Sequence, residues 1–152
     1  MLLKGSCHCG AVRFSVQSET PCPYMSCYCS ICRKTAGGGG YAINIMGRAD
    51  TLAVKGRTKA YRATRGGGER HFCPACGSAL WVWDRRWAES VYPFASAIDS
   101  KLPAPKERQH IMLDSKAGWV PVPKGRAERH FRAYPRESIL DWHRKRGLLV
   151  RA

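Results

Sequence analysis

Seven of the eight cysteines in this 152-residue chain fall in groups whose spacing suits metal ions. Cys7 and Cys9 come first, then Cys27, Cys29 and Cys32, then Cys73 and Cys76; Cys22 stands apart. Cysteine binds metal as the thiolate, and four thiolates close a tetrahedral zinc site, whereas three leave one position open to a substrate. Two pairs and a trio therefore predict one closed site and one open one. The preferred partition joins Cys7 and Cys9 to Cys73 and Cys76, because two pairs complete a tetrahedron without remainder. The other partition draws one member of the trio into a mixed site. Two Zn2+ per chain are expected, and the binding energy of the closed one is in part folding energy.

The trio carries the chemistry. Three thiolates on Zn2+ give a net charge of −1, so water at the fourth position is acidified less than on a zinc with neutral ligands. A soft thiol suits that position better, held as a thiolate beside an electrophile. The competing expectation is a fourth ligand from His8, His71, His110 or Cys22, which would make this site structural as well. A redox reading of Cys29 and Cys32 is weaker, since Cys27 crowds the pair and no βαβ unit surrounds it. Four disulfides would need an oxidising compartment, and tight Cys-x-Cys and Cys-x-x-Cys spacings suit metals better than bridges.

The trio runs into Arg33, Lys34 and then four glycines, Gly37 to Gly40. No Gly-Lys-Ser/Thr follows, so this is not a phosphate loop. The glycines either turn the chain away from the metal or leave backbone N–H groups near a bound carboxylate. Arg33 and Lys34 either hold an anionic substrate or are simply solvated.

The elements that must position these groups read as short strands. Val12, Phe14 and Val16 alternate with Arg13, Ser15 and Gln17, the two-residue period of a half-buried strand, and another strand enters the first cysteine pair. If the backbone at Cys7 and Cys9 is extended, both sulfurs point the same way without a turn. Cys22 lies at a Pro-marked bend and is expected as a small bend or core residue. Tyr41 to Ile45, Arg57 to Thr64, Ala79 to Trp83, Val91 to Ala95 and His110 to Leu113 are further strand candidates. Cys73-Pro74-Ala75-Cys76-Gly77 has zinc-knuckle spacing. Only the end of the chain reads as helix, opened by Pro135, closed by Gly147, with Ile139, Leu140 and Trp142 as its apolar face. The fold class is mainly β with a short C-terminal helix.

Composition sets the outer limits. Apolar residues make up 44% of the chain, which argues for a folded core, and no apolar run approaches the roughly 20 residues of a membrane helix. No signal-cleavage pattern is seen at the start, so a cytoplasmic location and no membrane partner are expected. The formal charge of +15 falls to about +12 once seven thiolates and two Zn2+ are included. Such a balance favours acidic partners, whether small anions, nucleic acid or protein, or else serves solubility alone.

Three motifs carry a resemblance. Gly5-Ser6-Cys7-His8-Cys9-Gly10-Ala11-Val12-Arg13-Phe14, Cys27-Tyr28-Cys29-Ser30-Ile31-Cys32-Arg33-Lys34 and Arg70-His71-Phe72-Cys73-Pro74-Ala75-Cys76-Gly77-Ser78, in this order, resemble the glutathione-dependent formaldehyde-activating family. Its domain is also found in centromere protein V. The resemblance covers about residues 3–122 and leaves 123–152 as a basic C-terminal extension, part-helical and packed on the domain. It implies a β-tent of short antiparallel sheets, a structural zinc on Cys7, Cys9, Cys73 and Cys76, and a catalytic zinc on Cys27, Cys29 and Cys32. It also implies a carbon–sulfur lyase that joins formaldehyde to glutathione as S-hydroxymethylglutathione. The alternative is a non-catalytic zinc module that binds nucleic acid or protein, with Phe131, Tyr134 and Trp142 among the basic residues of the extension.

Overall fold

A computed structural model describes residues 1–151. The chain opens with the hairpin β1 (Leu2–Ser6) and β2 (Arg13–Gln17), in which Leu3 faces Val16 and Gly5 faces Phe14. The alternation of Phe14 and Val16 with polar neighbours buries those side chains on one face. Next come β3 (Met25–Cys27), a helix α1 (Ser30–Thr35), and the short strands β4 (Ala42–Ile43), β5 (Gly47–Arg48) and β6 (Ala53–Lys55). A meander follows: β7 (Lys59–Arg62), β8 (Glu69–Phe72), β9 (Ala79–Trp83) and β10 (Ser90–Pro93). The chain closes with β11 (Arg108–Ile111), β12 (Glu128–His130) and α2 (Ile139–Lys145).

These strands form three short sheets, ordered β1-β2-β6, β5-β10-β9-β8-β7 and β12-β11-β3-β4, and the fold is mainly β. The first two are antiparallel throughout, while in the third β11 runs parallel to both β3 and β12. The largest core lies between the first two sheets, where Leu3, Val16, Ile45, Leu80 and Val91 pack around an edge-to-face contact of Phe14 on Trp81. Burying side chains of this size stabilises by roughly 1.5–3 kcal/mol each. A second core, with Phe94 and Ile111, encloses Cys27 and Cys32. On the edge strand β7 every side chain is exposed, and Lys59 and Arg62 put charge on it, a composition that disfavours pairing with another strand.

Three local features differ from the sequence expectation. The Cys7-His8-Cys9 segment is a turn at the β1–β2 tip, not extended backbone: the Gly10 N–H donates to the Cys7 carbonyl, and the Val12 N–H to Cys7 Sγ. The sulfurs converge because the hairpin closes there. A second helix, α1, follows the trio directly. Six residues are far too few for a helix to persist alone, and this one is held by its cap, where Cys29 Sγ accepts the Cys32 N–H. The C-terminal helix starts later than Pro135, with Ser138 as its N-cap, because a hydroxyl there can accept the Asp141 N–H. Gly147, at φ 64°, ends it as expected.

Residues 123–151 are fastened to the rest of the fold. Strand β12 extends the third sheet, the Cys22 N–H donates to His143 Nε2, and the Val150 N–H donates to the Glu19 carbonyl. Trp142, fully buried, stacks on Tyr24 at 3.5 Å and 8°. No helix among the described residues is long and apolar enough to cross a membrane.

Candidate metal centres

Two hairpin tips meet at the first cluster. Cys7 and Cys9 lie in the β1–β2 turn, Cys73 and Cys76 in the β8–β9 turn, and all four sulfurs lie within 4.8 Å of one another. The knuckle closes through the Gly77 N–H donating to the Cys73 carbonyl, with Gly77 at φ 75°, a conformation that a Cβ would strain. Ser78 ties the tips together: its hydroxyl accepts the His8 N–H and lies 3.2 Å from Cys76 Sγ.

A tetrahedral zinc with Zn–S near 2.3 Å requires sulfurs about 3.8 Å apart. Cys7 and Cys9 Sγ are 3.6 Å apart, Cys9 and Cys73 Sγ 3.9 Å. The donor set thus fits zinc in number, type and spacing. Its protonation also shows the strain of crowded thiols. The Ser78 hydroxyl lowers Cys76 to about 5. The Ala11 amide pulls Cys9 down, yet the Cys7 and Cys76 thiols outweigh it and Cys9 rises to about 11. Four thiolates this close require a compensating cation.

The second cluster is assembled on one short segment. Cys27 ends β3, Cys29 caps α1, and Cys32 sits in the first turn of that helix, so the strand-to-helix turn brings three sulfurs within 4.8 Å. Cys27 and Cys32 are buried and Cys29 half-buried, so the cluster has an inner side and an outer one. Hydrogen bonds from Cys27 and Cys32 hold Cys29 as a thiolate at about 2, and the contact with Cys29 drives Cys27 far up in return.

Among the described residues no fourth His, Cys, Asp or Glu joins the trio. His8 lies on the other hairpin tip, and His71 stacks on Trp81 with Thr58 and Glu69 at its ring nitrogens. His110 is buried, with Nδ1 2.8 Å from the Tyr28 hydroxyl and Nε2 2.7 Å from Glu128 Oε2. The carboxylate accepts the Nε2 proton, so Nδ1 accepts from Tyr28. Because Tyr28 lies between Cys27 and Cys29, this chain anchors the cysteine turn from behind. Cys22 is a core residue beside Tyr24 and Trp142, and burial pushes its thiol up to about 11.

The outer side adds residues that sequence reasoning did not single out. Arg70, on β8, reaches across to α1: its Nη1 lies 3.4 Å from Thr35 Oγ1 and its Nη2 3.8 Å from Cys32 Sγ. The sequence offered only the place of Arg70 at the head of the third cysteine motif, and a register shift between His71 and Phe72 keeps strand alternation from predicting which way it points. The hydroxyl of the exposed Tyr134 lies in the field of the three sulfurs and of Arg70. A cleft of about 280 Å3 opens beside Arg70, lined by Thr35, Tyr61, Arg70, His71, Phe72 and Phe94 among others. That is near the lower end of small-molecule sites.

The glycine run is a turn, with the Gly40 N–H donating to the Gly37 carbonyl, and a Cβ on Gly40 would lie 2.2 Å from Val120 Cγ2. Gly40 therefore serves packing. Neither Arg33 nor Lys34 makes an ion pair among the described residues, and Arg33 Nε is buried without a partner. On the C-terminal segment, by contrast, Arg129, Arg132, Arg144, Lys145 and Arg146 are each paired with a carboxylate.

Comparison with known proteins gives concordant results. The model of the family described as "Glutathione-dependent formaldehyde-activating enzyme" matches residues 2–115. A Halomonas elongata protein named "Putative glutathione-dependent formaldehyde-activating enzyme" is 60% identical over 97% of this chain and 98% of its own length. The crystal structure of a Rhodobacter sphaeroides protein aligns with a TM-score of 0.55 and 28% identity, over 66% of this chain and 91% of that one. A family match over most of the chain, with a full-length relative at this identity, places the protein in the glutathione-dependent formaldehyde-activating enzyme family.

Proposed function

We propose that this protein is a zinc-dependent carbon–sulfur lyase resembling S-(hydroxymethyl)glutathione synthase, joining a thiol such as glutathione to formaldehyde or a related small electrophile. The observation that supports it most is the three-sulfur cluster, with no fourth protein ligand among the described residues, one half-exposed sulfur, and Arg70, which lines a cleft, against Cys32 Sγ. Cys7, Cys9, Cys73 and Cys76 would hold a structural zinc, and Cys27, Cys29 and Cys32 a catalytic one. Zinc at the second site would lower the pKa of an incoming thiol and keep it as the thiolate.

The protein groups divide the remaining work. Cys27 and Cys32 close the inner side of the site against water. Arg70 places a positive charge against a cluster that turns more negative when a fourth sulfur arrives. The cleft beside Arg70 takes the body of the thiol, with Tyr61 and Phe72 as its apolar wall. The substrate sulfur then forms a bond to the formaldehyde carbon, and the carbonyl π pair moves to oxygen, which takes a proton from water. The step is redox-neutral and has no leaving group.

The alternative of a nucleic-acid-binding zinc module gains little from the C-terminal segment, because Arg129, Arg132, Arg144, Lys145 and Arg146 are each paired with a carboxylate of the segment or of the rest of the fold. Glutathione binding and adduct formation from 13C-formaldehyde, compared between zinc-loaded and zinc-free protein by NMR, test the proposal. Both are expected to require the metal. Equal behaviour without it would end the lyase reading.

A further inference from the structure

A thiol-transfer site built from thiolates faces a problem of selectivity. Cys27, Cys29 and Cys32 are sulfur nucleophiles themselves, and an electrophile brought to a substrate thiolate also meets them. A resident sulfur that adds to formaldehyde gains a hydroxymethyl group, its new oxygen taking a proton from water, and the metal loses a ligand. The nucleophilicity of a thiolate falls when its lone pairs are tied up by N–H donors, because attack then costs those hydrogen bonds.

Each resident sulfur has such a donor. Cys29 Sγ accepts the Cys32 N–H at 3.3 Å as the helix cap. For Cys27 Sγ the Cys29 amide, two residues on in the same turn, acts in the same sense. Cys32 Sγ faces the only charged donor to the trio among the described residues, Arg70 Nη2 at 3.8 Å, and Thr35 Oγ1 steadies the same guanidinium at 3.4 Å. Arg70 comes from a different sheet, so this contact is tertiary and not a by-product of the cysteine turn.

We infer that Arg70 is a positioning residue that quenches Cys32 as a competing nucleophile, leaving the substrate sulfur the most reactive one in the site. This rests on the reading of the trio as a metal site for thiol chemistry. The test needs neither glutathione nor formaldehyde, so its outcome and that of the lyase reading can be told apart. Zinc-loaded protein is treated with iodoacetamide, whose carbon–iodine bond breaks as the sulfur–carbon bond forms and iodide leaves. Alkylation at each cysteine is timed by peptide mass spectrometry.

In Arg70→Met, which keeps length and bulk, the rate at Cys32 relative to Cys29 is expected to rise about tenfold or more, the scale of one hydrogen bond to a charged acceptor. Unchanged rates at Cys7, Cys9, Cys73 and Cys76 report an intact fold. Arg70→Lys should restore much of the protection. Thr35→Val, which frees the guanidinium without removing it, should fall between. With Co2+ in place of zinc, the sulfur-to-metal charge-transfer band should move to lower energy in Arg70→Met and return in Arg70→Lys. A flat Cys32-to-Cys29 ratio in Arg70→Met and Thr35→Val, or no rescue by Lys, overturns the inference.

Discussion

Replacing Trp142 by alanine tests whether the C-terminal segment is part of the core or an appendage. The indole is fully buried, stacked on Tyr24 at 3.5 Å, and packed by Cys22, Ile139 and Leu148, with the Arg146 guanidinium 4.5 Å from its centroid. Trp-to-Ala changes at such sites cost about 3–5 kcal/mol, transfer and cavity together. Collapse into the gap is resisted, because Tyr24 is itself pinned between strand β3 and the helix. For a domain of this size each kcal/mol moves Tm by roughly 2–4 °C, so a fall of about 6–20 °C is expected. Calorimetry and urea unfolding should be run at one fixed free-zinc level, since bound metal adds its own stabilisation. Trp119→Ala, at a residue 69% exposed, is the control and should stay within about 0.5 kcal/mol of wild type. A loss below about 1 kcal/mol in Trp142→Ala would refute the reasoning and make residues 123–151 an accessory.

Two further perturbations probe the frame of the site. Gly40→Ala puts a Cβ against Val120 Cγ2 at φ 91° and should cost about 2–4 kcal/mol, strain and overpacking together; adding Val120→Ala should recover the steric part in urea titrations. Glu128 is held below its ordinary 4.5 by the hydrogen bond from His110. Its stabilisation is full above 4.5 and is lost as pH falls through the lowered folded value, so Glu128→Gln should flatten the acid limb of the stability–pH curve below 4.5 and leave the shape above it unchanged.

The cysteine arithmetic was legible because metal ligation restricts both residue type and spacing, and strands such as β2 and β9 were legible because their apolar residues alternate or run together. Helix α1 was not. Ser30-Ile31-Cys32-Arg33-Lys34-Thr35 is too short to show a 3.6-residue period, and its cap is a cysteine, whose sulfur is not among the usual N-cap acceptors. Strand β12 is Glu128-Arg129-His130, charged throughout, and joins the sheet by backbone bonds to β11 that leave no trace in hydropathy. Arg70 and His110 illustrate the same limit. Each meets its partner across dozens of residues, Cys32 in one case and Tyr28 in the other, and only the tertiary fold brings those pairs together. His110 was named as a possible metal ligand on chemical type alone, and burial with Tyr28 and Glu128 gives it a different task.

Zinc X-ray absorption on the fully loaded protein, before and after glutathione, bears most directly on the proposal. One site offers four sulfurs and the other three, so the account predicts an average of about 3.5 sulfurs per zinc, rising to about 4 as the thiol enters the open position. The rise should vanish in Cys29→Ser, while the four-sulfur site remains. An average that starts at 4, or does not change when glutathione is added, would contradict an open thiol-binding zinc at Cys27, Cys29 and Cys32.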